Sequence, residues 1–149
     1  MAIFPTTILL ATDGSEEAAL AAETAAELSK STGSEVHLVY VLPSPAQLIG
    51  HHLLSGEARE SAIAGVERDA ETFLKEQAEK VGSYGGKVAE THLRSGDPDK
   101  EILRTAEAIE AGVIVIGSRG LGAITRTLVG SVSESVVRHA HCPVYIVRH

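Results

Sequence analysis

Short, wholly apolar runs alternate along this chain with longer Ala- and Glu-rich amphipathic stretches. That alternation constrains the fold more than any other feature. Thr7-Ile8-Leu9-Leu10-Ala11 is apolar on successive residues, as a strand buried on both faces requires. Thr12-Asp13-Gly14-Ser15 then reads as a turn, with Ser15 as helix N-cap and Glu16 and Glu17 where the helix dipole favours negative charge. The helix is expected to run to about Ser31, with Leu20, Thr24 and Leu28 along its i, i+4 stripe, until Gly33 stops it.

The pattern repeats. Val36 to Leu42 reads as a strand ended by Pro43 and Pro45, and residues 43–56 read as a loop. A long helix is expected from Glu57 to Val81, with Ile63, Val66, Ala70, Phe73, Leu74 and Ala78 inward and Gly82, Gly85 and Gly86 ending it. Val88 to Leu93 is a weaker strand that alternates Val88, Glu90 and His92 with Ala89, Thr91 and Leu93. Asp97 and Pro98 open the next helix, whose apolar face is Ile102, Leu103, Ala106 and Ile109. Val113 to Ile116 is the clearest buried strand, and a glycine-rich loop from Gly117 to Gly130 follows it. Ser131 is read as the cap of a last helix to about His139, and Val144 to Val147 as the final strand. Five strands and four helices in strict alternation imply an α/β fold: a parallel sheet covered on both faces through right-handed crossovers, in one domain over residues 1–149.

Composition excludes several classes of function. The net charge is −7, the opposite of the basic footprint that nucleic acid or an anionic membrane surface selects. Aromatic residues are 3% with no Trp, which leaves no stacking platform for single strands. No run approaches the roughly 20 apolar residues of a spanning helix. Met1-Ala2-Ile3-Phe4-Pro5 has no basic region before a long apolar run, so no secretory signal is expected. The single cysteine, Cys142, cannot form an internal disulfide, and a cytoplasmic setting is expected.

Open parallel sheets bind ligands beyond the carboxyl ends of their strands, where the winding reverses. Two strand ends carry suitable residues: Ala11-Thr12-Asp13-Gly14 and Gly117-Ser118-Arg119-Gly120. Neither GxxxxGK[ST] nor, in the first turn, GxGxxG is present. The long loop still has the parts of an anion cradle. Gly117, Gly120, Gly122 and Gly130 let backbone N–H groups approach a phosphate, Ser131 and Ser133 add hydroxyls at a helix N-terminus, and Arg119 adds charge. On the residues alone, a surface loop that needs glycine only for turning fits equally well.

The spacing Gly117-x2-Gly120-x9-Gly130-Ser131 resembles the ATP-binding pattern of the universal stress protein family. The likeness extends over essentially the whole chain, from Ile8-Leu9-Leu10-Ala11-Thr12-Asp13-Gly14-Ser15 to the run from Gly130 through Val144. It implies a Rossmann-like sheet of order 3-2-1-4-5 in the ATP-binding branch, with Mg2+ or Mn2+ held only through the nucleotide phosphates. It also implies site roles. Asp13 lies near the ribose, and backbone groups at Val41, with apolar Ile116, hold adenine. Gly117, Gly120, Gly130, Ser131 and Ser133 meet ribose and phosphates, and Ala11, Thr12 and Val132 line the site. AMP or cyclic AMP is the alternative ligand, and a true ATPase or phosphoryl-transfer enzyme the alternative activity. The likeness further implies a homodimer through the last strand, Val144, Tyr145, Ile146 and Val147, whose apolar edge invites pairing. The chain departs from the family at Ala111-Gly112, where an acidic residue is common; a loop rather than the site is expected to feel this.

The other reactive side chains have simpler readings. His51 and His52 are adjacent and point apart, with no Cys or carboxylate spacing to make a metal site. His139 and His141 flank a helix end. Cys142 reads as a small buried hydrophobe. Ser15 and Ser131 have no acid–base partner at a recognisable spacing, and nothing in the sequence aims a general base at a γ-phosphate. Any hydrolysis of a bound nucleotide is therefore expected to be slow.

Overall fold

The structure is a computed structural model that describes residues 2–49, 56–118 and 130–148. Among these residues the chain runs β1 (Thr7–Ala11), α1 (Glu16–Thr32), β2 (Glu35–Leu42), α2 (Pro45–Ile49), α3 (Gly56–Ser83), β3 (Lys87–Ser95), α4 (Pro98–Ala108), β4 (Val113–Gly117), α5 (Ser131–His139) and β5 (Val144–Val147). The described strands form a five-stranded sheet, parallel throughout as the alternation anticipates, in the order β3-β2-β1-β4-β5 that the family likeness implies. β3 and β5 are its edges. β1 lies at the centre, and winding reverses there, between β2 on one side and β4 on the other.

Both faces of the sheet are covered. On one, Ile8, Leu10, Val36, Leu38, Val113 and Val115 meet α1 and α3. On the other, Leu9, Val39, Ile114 and Ile116 meet Ile102 and Ala106 of α4 and Val136 of α5. The face of α1 that touches the sheet is not the expected Leu20–Thr24–Leu28 stripe. It is Ala18, Ala21, Ala22, Ala25 and Ala26, with Leu20 and Leu28 half-buried on the flanks. Alanine lets a helix lie close to a sheet, and the larger leucines fill the margins.

Several local expectations are corrected. Residues 45–49, expected within a loop, form α2, because Ser44 and Gln47 make a reciprocal capping box around Pro45. Gly130, not Ser131, is the N-cap of α5, and Ser131 is its first helical residue. Asp97 holds the N-cap position of α4 without a side-chain capping bond and faces Lys100 Nζ at 3.3 Å instead. α3 continues past Gly82 to Ser83, and β3 continues past Leu93 to Ser95. The departure at Ala111-Gly112 is tightly packed: a Cβ on Gly112 would overlap the Thr6 side chain.

The strand alternation of β3 is also broken. Val36 pairs with Val88, but the next residue of β2, His37, pairs with Glu90. Ala89 is thus an extra residue, a bulge. Val88 packs with the α1/α3 side, as does Leu93. Glu90 and His92 therefore emerge on the opposite face, rather than sharing one with Val88.

Two outcomes follow for stability. Ala25 is fully buried between helix and sheet, so Ala25→Leu is expected to lower unfolding stability by about 1–3 kcal/mol through overpacking, read as a lower denaturant midpoint. Ser135 Oγ of α5 donates to Asp99 Oδ2 of α4 at 2.7 Å, and this bond, ahead of the opposing burial, holds the Asp99 carboxyl below its usual range. A depressed folded pKa gives stability that is present above the unfolded value and lost as pH falls through the folded one. Ser135→Ala is accordingly expected to cost stability near neutral pH and to converge on the parent in strong acid, in urea titrations across that range.

Candidate functional site

The carboxyl ends of β1 and β4 lie side by side at the winding reversal. Leu10 pairs with Val115, so Thr12 and Gly117 stand level, two residues further along each strand. Thr12 N donates to Val39 O at 3.1 Å and extends the pairing with β2. The chain then turns. Asp13 Oδ1 accepts from Ser15 N at 2.9 Å, and Ser15 Oγ accepts from Ala18 N at 3.1 Å, so an Asx turn passes directly into the capped start of α1. Asp13 therefore serves the turn and stands at the mouth of the crevice at once.

At the end of β4, α1 sits directly on the strand. A Cβ on Gly117 would lie 2.9 Å from Glu17 Cβ and 3.0 Å from the Glu17 carbonyl carbon, so only glycine fits. Ser118 is buried, and its N–H donates to Val147 O of β5 at 2.8 Å. Ser118 Oγ donates to the Glu17 carboxylate, which is 6% exposed as a residue. Burying a carboxylate costs several kcal/mol, and the Ser118 hydroxyl and the N-terminal end of α1 both offset it.

Ser118 also fastens the far end of the glycine-rich loop. Its carbonyl accepts from Gly130 N at 2.5 Å and from Ser133 Oγ at 2.7 Å. Ser133 Oγ also lies 3.1 Å from Gly130 O. These bonds set the N-terminus of α5 beside the end of β4. The dipole and the first-turn N–H groups of α5 make that end a place for negative charge.

Of the residues singled out in the sequence, Ala11, Thr12, Asp13, Ile116, Gly117, Gly130, Ser131, Val132 and Ser133 come together at this crevice. Ala11, Thr12, Ile116 and Ser133 are buried, Val132 is half-buried and Ser131 is exposed. Val41 lies near the same end of β2, two residues beyond Val39. Arg119 and Gly120 lie outside the described residues. Glu17 and Ser118 are the pair that residue reading missed as site elements. Glu17 carries a usable signal, because it stands one turn before Ala21 and two before Ala25 and so lies on the buried stripe of α1.

One polar atom stands out. Thr12 Oγ1 is fully buried and, among the described residues, has no hydrogen-bond partner. Cys142 is half-buried beside the α4/α5 core, and burial pushes its thiol above the ordinary range, as suits a packing residue.

The profile of the universal stress protein family matches residues 5–148. The chain belongs to that family. A putative universal stress protein of Staphylococcus aureus strain USA300 is 36% identical over 143 residues, spanning 95% of this chain and 82% of the relative. Among solved structures of similar shape is that of the hypothetical protein MJ0577, with a TM-score of 0.80, 25% identity, and coverage of 96% of this chain and 95% of that one. The universal stress protein from Archaeoglobus fulgidus in complex with dAMP has a TM-score of 0.66 and 25% identity, covering 98% of this chain and 99% of that one. Within this family fold, the seating of α1 on Gly117 yields a direct expectation. Gly117→Ala should lower unfolding stability by about 1–3 kcal/mol, since the neighbour it meets is backbone and cannot step aside. A thermal midpoint equal to the parent's would contradict this packing.

Proposed function

We propose that this universal stress protein binds ATP in the crevice between β1 and β4, with Mg2+ or Mn2+ carried by the phosphates. It would act in the stress response as a cytoplasmic, nucleotide-dependent sensor or signalling module with at most slow hydrolysis. The observation that carries the reading is the Ser118 clamp, which sets the α5 N-terminus and the end of the glycine-rich loop at the winding reversal. In this reading the Asp13 carboxylate, which holds the Ser15 N–H at the turn, also accepts from ribose hydroxyls. Backbone groups at Val41 and apolar Ile116 hold adenine. Gly117, Arg119, Gly120, Gly130, Ser131 and Ser133 receive ribose and phosphates, and Ala11, Thr12 and Val132 line the walls.

The buried Thr12 hydroxyl supports the fit. An unmet hydroxyl costs about 1–3 kcal/mol, and a ligand atom in this crevice would complete it. The dAMP complex of the Archaeoglobus fulgidus relative supports a second reading, in which an adenine monophosphate is the resident ligand. The proposed assembly is a homodimer through β5, where Tyr145 is 49% exposed. Among the described residues no helix is long and apolar enough to cross a membrane.

Calorimetric titration of nucleotide-stripped protein with Mg-ATP, and in parallel with AMP, tests the site. Micromolar ATP binding is expected, lost in Gly120→Val. Thr12→Val is expected to weaken binding about tenfold while leaving the free protein as stable or more so, because it removes the unmet hydroxyl. Tighter binding of AMP than of ATP would select the second reading, and no binding of either by the folded parent would sink both.

A further inference from the structure

A second group of polar side chains lies on β2 and β3, away from the crevice. His37 Nδ1 and His92 Nε2 are 3.0 Å apart, and Glu90 Oε2 is 4.0 Å from each of them. The two rings meet nearly end to end, with centroids 5.2 Å apart and planes 11° from parallel. The His92 residue is buried and the His37 side chain nearly so, whereas the Glu90 side chain is 64% exposed. His37 stands four residues before Val41, and His92, level with Val39, stands two before it, about 13 and 7 Å along the strands, so the group lies below the level of the proposed nucleotide site.

We propose that His37, Glu90 and His92 form a binding site for a first-row divalent cation, zinc foremost, with water in the fourth position. Two imidazoles and a carboxylate around an open position are a known zinc donor set. Zinc–nitrogen bonds of about 2.0–2.1 Å put tetrahedral ligand atoms about 3.3 Å apart, close to the separation of the two ring nitrogens. The carboxylate oxygen is equidistant from both and must close by about 0.7 Å, a rotamer adjustment open to an exposed side chain. These donor atoms all lie within 4.8 Å of one another.

The bulge at Ala89 makes the group possible. It turns Glu90 and His92 onto the face that His37 occupies, and it sets Glu90 directly opposite His37 in the register. Burial foremost, with His37 and Arg94 adding to it against the pull of Glu90, holds the His92 imidazole below its ordinary range, so it is neutral and has a lone pair to give.

Without metal the same two nitrogens share a proton. Arg94 Nη2 lies 3.4 Å from His92 Nδ1, which makes that nitrogen the acceptor and puts the ring proton on Nε2, toward His37. Zinc takes the Nε2 lone pair, the proton moves to Nδ1, and the half-buried Arg94 turns away. The ring proton stays on His92 in this exchange. Arg94 opposes the metal form and limits its affinity.

The test uses untagged, chelator-stripped full-length protein, titrated with Zn2+ alone in the absence of nucleotide. One Zn2+ per chain is expected at micromolar affinity or better, with a thermal midpoint that rises with Zn2+. Affinity should fall about tenfold or more in His37→Gln and in Glu90→Gln, and stay unchanged in the His51→Ala/His52→Ala double variant. Imidazole 15N resonances of the parent read the same event without substitution: saturating Zn2+ should shift His37 Nδ1 and His92 Nε2. Unshifted resonances at these nitrogens, or a stoichiometry and affinity untouched by His37→Gln and Glu90→Gln, would overturn the site and leave a hydrogen-bonded histidine pair.

Discussion

The contact between the first turn of α1 and the end of β4 is the point from which the crevice is built. Gly117 has no side chain, so the Glu17 backbone comes down onto the strand and α1 can begin directly over the β1–β4 junction. The alanine face of α1 continues that close approach along the sheet. Once α1 is seated there, its carboxylate meets the Ser118 hydroxyl, and Ser118 in turn positions Gly130 and Ser133. A side chain at residue 117 would push on the whole series, from the turn after β1 to the start of α5.

The polar groups in this region are coupled through their shared partners. Ser118 uses its N–H for β5, its hydroxyl for α1 and its carbonyl for α5. One residue thus ties together three elements that are far apart in sequence. Such a network is stiff when every member is satisfied. The Thr12 hydroxyl, just past the end of β1, is buried and left unmet among the described residues. Rigid surroundings with one unfilled polar position suit a site that selects a ligand by geometry more than by gross charge.

Much of this was legible in the residues. Apolar runs marked β1, β2 and β4, because a parallel strand covered on both sides favours apolar residues on both faces, with His37 the polar interruption in β2. The Ser15 cap and Gly33 stop bounded α1. The strand order and the site assignments came with the family likeness, since pairing partners leave no period in the chain. What escaped depended on contacts across the fold. Ser44 and Gln47 do carry a local capping signature, but the surrounding prolines read as a breaker. The burial of Glu17 lay hidden behind the expected leucine stripe of α1, and its partner Ser118 is 101 residues away, visible only once β4 is next to β1. The grouping of His37 with Glu90 and His92 needed both the β2–β3 pairing and the bulge, and an ideal alternation predicts the wrong face.

That bulge has a consequence for how related chains can diverge. Because the bulge already sets Ala89 outside the pairing, loss of that single codon would leave Val88 opposite Val36 and Glu90 opposite His37 in plain alternation. The two side chains would keep their face, whereas pairing Ala89 with His37 in plain alternation would turn both of them to the other side together. The histidine–carboxylate group thus depends on the pairing register rather than on Ala89 itself, and a one-residue slip of this edge strand would erase it in a single event. Descendants that differ there would keep the same sheet order and the same crevice, while offering quite different chemistry along the outer margin of the sheet.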